Sequence, residues 1–335
     1  MKKKIILGVI TLFSLVIITG LLIYFSFQYQ LHQPLNLRET AIIKIDPGDS
    51  LIAISNKLVE RGWINHPYFL ITAGRYKDLA GSIKTGEYEI RPGLTPMEFL
   101  SLIVSGKVIQ YPLTIPEGWT FRQVMEAIRS NQRLQHTLND ATVASIMEKL
   151  GYPGLYPEGR FFPDTYMFPA GTTDIEFLRR ASMTMTQVLM EEWQQRAPGL
   201  PYQEPYQSLI MASIIEKETA IPEERYKIAG VFVRRLQQGI KLQTDPTIIY
   251  AIGADFNGDI TNKDLDLDSP YNTYRFPGLP PTPIAAPGRD SIRAALQPEP
   301  VTALYFVAMD NGRHYFSATL DEHNQAVAKF QLHKP

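Results

Sequence analysis

The sequence predicts an α+β fold behind one membrane-spanning helix, and three observations carry that reading. An uncharged run from Ile5 to Phe25 follows Lys2, Lys3 and Lys4. A phrase of short strand, glycine turn, Ser/Thr cap and helix then occurs three times before residue 130. Beyond it, helical patterns and proline-rich loops lead to a strand–turn–strand pattern that begins at Ala303. The expected division is 1–4 in the cytoplasm, 5–25 in the membrane, 26–40 as a polar tether, 41–110 as a small α+β domain, and 111–335 as a mixed helical and β domain that carries the chemistry.

The Ile5–Phe25 run matches the roughly 20 apolar residues that cross a bilayer core at about 1.5 Å rise each. A cleaved signal peptide has a shorter apolar region and a small-x-small cleavage site. Here the run passes through Tyr24 and Phe25 into Ser26-Phe27-Gln28 with no such site. An uncleaved anchor is therefore favoured over a signal peptide. The lysines place the N-terminus in the cytoplasm and the bulk of the chain outside. Tyr24, Phe25 and Tyr29 suit the outer interface.

The 335 residues carry a formal net charge of -1, which gives no support to a nucleic-acid partner. Hydrophobic residues make up 44% and charged residues 20%, enough for a sizeable core. The absence of cysteine excludes disulfide frameworks and thiolate metal sites.

Ala41 to Ile45 alternates as a strand, and Asp49 or Ser50 can cap a helix from Leu51 to Glu60 that Gly62 stops. A helix around His66 to Tyr76 follows. The phrase returns with strand Glu87 to Ile90, turn Arg91 to Thr95, and a helix from Pro96 to Val104 with proline at its first position. A third, looser copy has strand Leu113 to Ile115 and helix Phe121 to Arg129. The first two copies with the helix between them resemble LysM modules, which bind N-acetylglucosamine polymers. That resemblance rests on Ile45-Asp46-Pro47-Gly48-Asp49-Ser50-Leu51 followed by a helix. A packing domain without sugar affinity satisfies the same pattern.

Residues 131–150 read as polar helices ending at Gly151. Tyr156 to Tyr166 reads as an apolar loop, and Asp174 to Gln195 as a long helix. Pro222 to Gln238 is helical, with Ile228, Ala229, Val231, Phe232 and Leu236 inward and Gly239 at its end. Thr244 or Asp245 caps a short helix begun by Pro246. Ser269 to Pro287 is a long loop whose aromatics argue against disorder. Ser291 to Leu296 is a short helix. Ala303 to Met309 and His314 to Ser317 are strands around an Asp310-Asn311-Gly312 turn.

The chemistry centres on Ser208 to Ala220, SLIMASIIEKETA. At about 100° per residue, Ile210, Met211, Ile214 and Ile215 share one arc, and Glu218 falls near its centre. Glu216 points to nearly the opposite side. A carboxylate on an apolar face loses hydration, which raises its pKa towards the range of a general acid. A helix that frays near Thr219 and leaves Glu218 exposed is the alternative. Walker-type, G-x-S-x-G and H-E-x-x-H motifs are absent from the sequence. Of six histidines only His314 and His323 suit a site, and two do not make a metal centre, so no metal or cofactor is called for. A carboxylate among amides, hydroxyls and aromatics outside a membrane suits a carbohydrate, whose cleavage needs an acid at the leaving oxygen. Glu218 is the candidate acid. Gln243, Thr244 and Asp245 can orient substrate, as can Tyr250, Asn272, Thr273 and Tyr274. As local structure, Asp245 is a helix cap first and Asn272 a turn former first.

Nearly the whole chain resembles the YceG-like family of endolytic murein transglycosylases. The phrases that carry this are Glu158-Gly159 with Phe162-Pro163-Asp164-Thr165-Tyr166, Ala212-Ser213-Ile214-Ile215-Glu216-Lys217-Glu218, and Leu242-Gln243-Thr244-Asp245-Pro246-Thr247. Tyr271-Asn272-Thr273-Tyr274, Gly278-Leu279-Pro280-Pro281 with Pro283-Ile284, and Tyr305-Phe306-Val307-Ala308 follow in order. Arg160 departs from the family, which often has an apolar residue there. The resemblance implies a single-pass enzyme of the cytoplasmic membrane that cuts nascent peptidoglycan strands between N-acetylmuramic acid and N-acetylglucosamine. It implies a non-hydrolytic cut that leaves a 1,6-anhydro end and helps to end strand growth beside peptidoglycan synthases. The family's catalytic glutamate falls on Glu218. The competing readings are a muramidase-type hydrolase, with Asp245 or Glu216 as second carboxylate, and a non-catalytic peptidoglycan-binding scaffold.

Overall fold

The computed structural model describes residues 2–310 and 312–332, so Asn311 of the expected hairpin turn and His333 lie outside the described residues. The chain divides into two units, one comprising residues through Tyr111 with Phe168–Gly171, the other Pro112–Met167 with the chain from Thr172 onward. The mixture of helices with short strand pairs is α+β.

In the first unit, helix α1 spans Lys2–His32. Its apolar window has a mean hydropathy of 2.8 and is unburied, so α1 is long and apolar enough to cross a membrane. The helix runs past Phe25. Phe27 and Leu31 lie four residues apart near the end of the helix, and Leu35 follows beyond it. Leu31 and Leu35 are each 3% exposed and belong to the unit's core. Much of the stretch read as a tether is therefore built into the packing of this unit.

The unit continues with β1 (Ala41–Ile45), α2 (Leu51–Glu60), α3 (Tyr68–Tyr76), β2 (Gly86–Ile90) and α4 (Pro96–Ser105). The strands pair antiparallel, with Ala41 opposite Ile90 and Ile45 opposite Gly86. Alternation turns Ile43, Ile45, Tyr88 and Ile90 inward onto Ile54 and Leu58 of α2 and Phe99 of α4. The Tyr88 hydroxyl donates to the carbonyls of Lys84 and Ile103, which satisfies its buried polar end. Ser50 caps α2, and Thr95 with Glu98 forms a capping box at α4.

The chain leaves this unit along β3 (Gln110–Thr114) and enters α5 (Phe121–Ser130) and α6 (Val143–Leu150). The stretch 131–142, expected to be helical, contains no helix. β4 (Thr165–Pro169) was hidden in the sequence by its prolines and aromatics, and it pairs with β3. Next come α7 (Asp174–Gln194), α8 (Pro205–Glu218), α9 (Pro222–Gln237), α10 (Asp245–Ile252), α11 (Asn262–Leu265) and α12 (Arg289–Leu296). β5 (Tyr305–Ala308) and β6 (His314–Ser317) pair antiparallel, and α13 (Leu320–Phe330) closes the described chain.

Helix α8 is the centre of the second unit. Every residue from Ser208 to Ile215 is buried, so the helix is covered all round rather than along one arc. Neighbours α7, α9, α10 and α12 supply that cover. The Ser213 hydroxyl donates to the Ile210 carbonyl and accepts from the Ile284 backbone N–H, so its burial leaves no unmet polar atom. α7 is tied to α12 by Glu192, whose carboxylate takes two bonds from Arg293 at 3.0 and 2.9 Å and one from Arg289 at 3.0 Å.

In α9, Gly230 lies against the chain at Glu299, where an added Cβ would meet the Glu299 carbonyl oxygen at 2.2 Å. That neighbour is backbone and cannot swing aside. Gly230→Ala is expected to destabilise the second unit by about 1–3 kcal/mol, measured as a fall in its denaturant unfolding midpoint.

Candidate active site

Glu218 is the last residue of α8. Thr219 is extended at φ -143°, and Pro222 is the first residue of α9, so the chain turns away there. The residue as a whole keeps some solvent contact, while its carboxyl sits deep among protein atoms. Desolvation, with the Asp245 charge adding to it, raises the Glu218 pKa from 4.5 to about 7, against the opposing pull of a bond from Thr244. The helix end thus delivers a sequestered carboxyl rather than a frayed surface charge.

Thr244 makes that bond. It stands at the N-cap of α10, where a threonine hydroxyl ordinarily takes a bond from its own helix. Here the hydroxyl donates to Glu218 Oε1 at 2.8 Å and leaves the helix uncapped. Thr273 supports the turn from behind: its Oγ1 accepts the Thr244 backbone N–H at 3.1 Å, and its carbonyl accepts that of Gln243 at 3.2 Å. Gln243 is held at φ 53°, an unusual value for a residue with a side chain. Arg235 of α9 accounts for part of that hold. Its guanidinium donates to the carbonyls of Lys241, Leu242 and Leu304 and to Gln243 Oε1.

Glu218, Gln243, Asp245 and Tyr274 line one cavity of about 540 Å³. The Tyr274 hydroxyl donates to Asp245 Oδ1 across it. The far wall comes from β5, β6 and α13, with Tyr305, His314 and His323. The His323 ring stacks on Tyr305 at 5.2 Å, and the Arg235 guanidinium lies 5.0 Å from the Tyr305 ring centre. Burial, then the Arg235 charge, lowers the His323 pKa. His314 is held by Glu224, with Nδ1 2.7 Å from Oε2.

The other sequence candidates lie elsewhere. Thr244 and Thr273 are buried behind the cavity wall. Asn272 is fully buried, with its amide donating to the carbonyls of Leu265 and Leu267 and its oxygen accepting from the Tyr274 and Arg275 backbone, so it acts as a turn former. Tyr250 faces a different cavity and donates to Glu158. Glu216 accepts from the Gly288 backbone and Ser291 Oγ and pairs with Arg225 at 3.4 Å, which makes it a structural carboxylate. Arg235 went unnoticed in the sequence. Its signal was an arginine three and four residues after Phe232 and Val231, on the inward face of α9.

An enclosed carboxyl poised near neutrality, in a cleft of aromatic, amide and carboxylate side chains, is the equipment of a general acid acting on a polar polymer. The sequence model of the YceG-like family matches residues 43–329, and the chain belongs to that family. It is 33% identical over 311 residues to the endolytic murein transglycosylase of Bacillus subtilis, covering 88% of this chain and 85% of that protein. The endolytic murein transglycosylase of Streptococcus pneumoniae D39 is 27% identical over 344 residues, which span 91% of this chain but 62% of that longer protein. A crystal structure of a YceG-like protein from Listeria monocytogenes superposes with a TM-score of 0.55 at 33% identity, covering 86% of this chain and 98% of that one.

The raised Glu218 pKa has a consequence for stability. The folded state holds the proton more tightly than the unfolded state, so the protein loses stability as pH rises from about 4.5 through about 7. Glu218→Gln removes that loss. The variant is expected to gain on the wild type by on the order of 1–3 kcal/mol between pH 5 and pH 8, read from denaturant unfolding at each pH.

Proposed function

We propose that this protein is an endolytic lytic transglycosylase that cleaves nascent peptidoglycan strands between N-acetylmuramic acid and N-acetylglucosamine. The observation that carries the proposal is the enclosed Glu218 carboxyl, raised to about 7 and bonded by Thr244, at the edge of a cleft large enough for sugar rings. The names of the relatives, which extend over most of the chain, support the substrate.

In the proposed reaction, protonated Glu218 gives its proton to the glycosidic oxygen as the C1–O bond breaks. The carbonyl oxygen of the neighbouring 2-acetamido group stabilises the positive charge at C1, as in substrate-assisted glycosidases. Glu218, now a carboxylate, takes the proton of the C6 hydroxyl, and that oxygen bonds to C1 and displaces the acetamido oxygen. The product is a 1,6-anhydro ring, water is not consumed, and Glu218 ends protonated. Gln243, Asp245 and Tyr274 orient the sugar from the cavity wall, and Thr244 aims the acid.

In the same reading, α1 anchors the protein in the cytoplasmic membrane with the N-terminus inside, and the cleft works on strands emerging beside the synthases outside. Residues 41–110 are assigned as a LysM-like unit that contacts N-acetylglucosamine. Their strand–helix–helix–strand order supports that assignment.

Glu218→Gln is expected to lose about 10²–10⁴-fold in turnover, and wild-type activity is expected to fall as pH rises above about 7 and the acid ionises. Mass spectrometry of strand products tests the reaction itself. Anhydro ends from the wild type alone support the proposal. Reducing ends move the assignment to a hydrolase that uses Asp245 as second carboxylate, and strands bound uncut by both proteins move it to a scaffold.

A further inference from the structure

A second cavity, of about 460 Å³, lies in the same unit on the other side of the residues that build the Glu218 cleft. Lys217 and Glu218 are consecutive, yet Lys217 faces this cavity and Glu218 the first. Helix α10 divides in the same way, with Asp245 on the Glu218 side and Pro246, Ile249 and Tyr250 on this one.

The inner end is built around Glu158, which is 6% exposed. Its carboxylate accepts the Phe121 backbone N–H at 2.8 Å and the Tyr250 hydroxyl at 3.0 Å. Gly159 fixes the loop that carries it. It sits at φ +75°, and an added Cβ would meet Pro283 at 2.5 Å. One wall is apolar, formed by Pro246, Ile249, Ala254 and Ile284. Arg122 and Lys217 stand at the rim, and both are exposed. The Lys217 ammonium has one long contact of 3.4 Å to the Gly118 carbonyl. Among the described residues the Arg122 guanidinium has no ion-pair partner.

An apolar wall suits small aliphatic side chains, and two unpaired cations suit carboxylates. Thr120, Gln123 and Tyr250 add hydrogen-bonding groups beside that wall, as a peptide backbone requires. Burial raises the Glu158 pKa to about 7, so it offsets the rim cations only in part at neutral pH.

We propose that this cavity binds the short, anionic, alanine-containing peptide that each muramyl residue of the strand carries, while the sugar lies in the Glu218 cleft. The proposal rests on the transglycosylase reading for its substrate. It makes Arg122 and Lys217 specificity determinants that favour peptide-bearing strands over naked ones.

The test uses the full chain in detergent, with peptide released by an amidase from the same strands as the binding probe. Calorimetry is expected to show peptide binding to the wild type and to Glu218→Gln, weakened tenfold or more in Arg122→Glu and in Lys217→Glu, and largely kept in Arg122→Lys. The kcat/KM ratio of peptide-bearing to amidase-stripped strands is expected to exceed one and to fall about tenfold in Arg122→Glu. No peptide binding by the wild type overturns the proposal, as does a preference that survives both charge reversals. Peptide binding by a wild type that cuts neither strand supports the site and overturns the transglycosylase reading instead.

Discussion

A carboxyl withdrawn from water at the end of a helix that cannot move is the constraint on which the second unit depends. α8 is packed on every side from Ser208 to Ile215, so its axis is fixed by α7, α9, α10 and α12. Its last residue therefore arrives at a set position, and the break after Glu218 lets the next helix depart without covering the carboxyl. Thr244 completes the arrangement by directing its hydroxyl to Glu218 rather than to its own helix. The start of α10 gives up a cap worth about 1 kcal/mol, and Gln243 is held in a left-handed conformation beside it. Local stability is given up beside the Glu218 carboxyl, a pattern common at functional sites.

Two glutamates on opposite sides of one helix end show how environment divides roles. The Glu216 side chain is 6% exposed, and it has a guanidinium, a hydroxyl and a backbone N–H around it. Glu218 has one hydroxyl and the repulsion of Asp245. Several donors surround the first carboxylate, whereas desolvation with a single donor raises the pKa of the second. The first is a fastening, and the second is the acid of the proposed reaction. The fastening also serves the acid, because Glu216 binds the N-terminal end of α12 to α8 and so helps to hold the helix that presents Glu218.

Much of this was legible in the sequence. Glycine turns and Ser/Thr caps placed β1, α2, α4 and α5 within a residue or a few, because caps and turns are local chemistry. The wheel around Met211, Ile214 and Ile215 singled out Glu218 over Glu216, although it described a one-sided helix where the fold buries all sides. Long-range partners were out of reach. Nothing near Thr244 says that its hydroxyl will cross to Glu218, and nothing near Tyr250 says that it will face Glu158 instead. Leu31 and Leu35 looked like incidental leucines in a polar tether until the core they enter was in place. β4 was lost among prolines because its pairing with β3 lies some fifty positions away in sequence.

The most direct measurement is the titration of the Glu218 carboxyl itself, followed by carbon-13 NMR of glutamate-labelled protein with Glu218→Gln to assign the signal. The account predicts a midpoint of about 7. A midpoint near the ordinary 4.5 would mean that Glu218 is ionised at neutral pH, and it would contradict the role of this residue as the acid of the site.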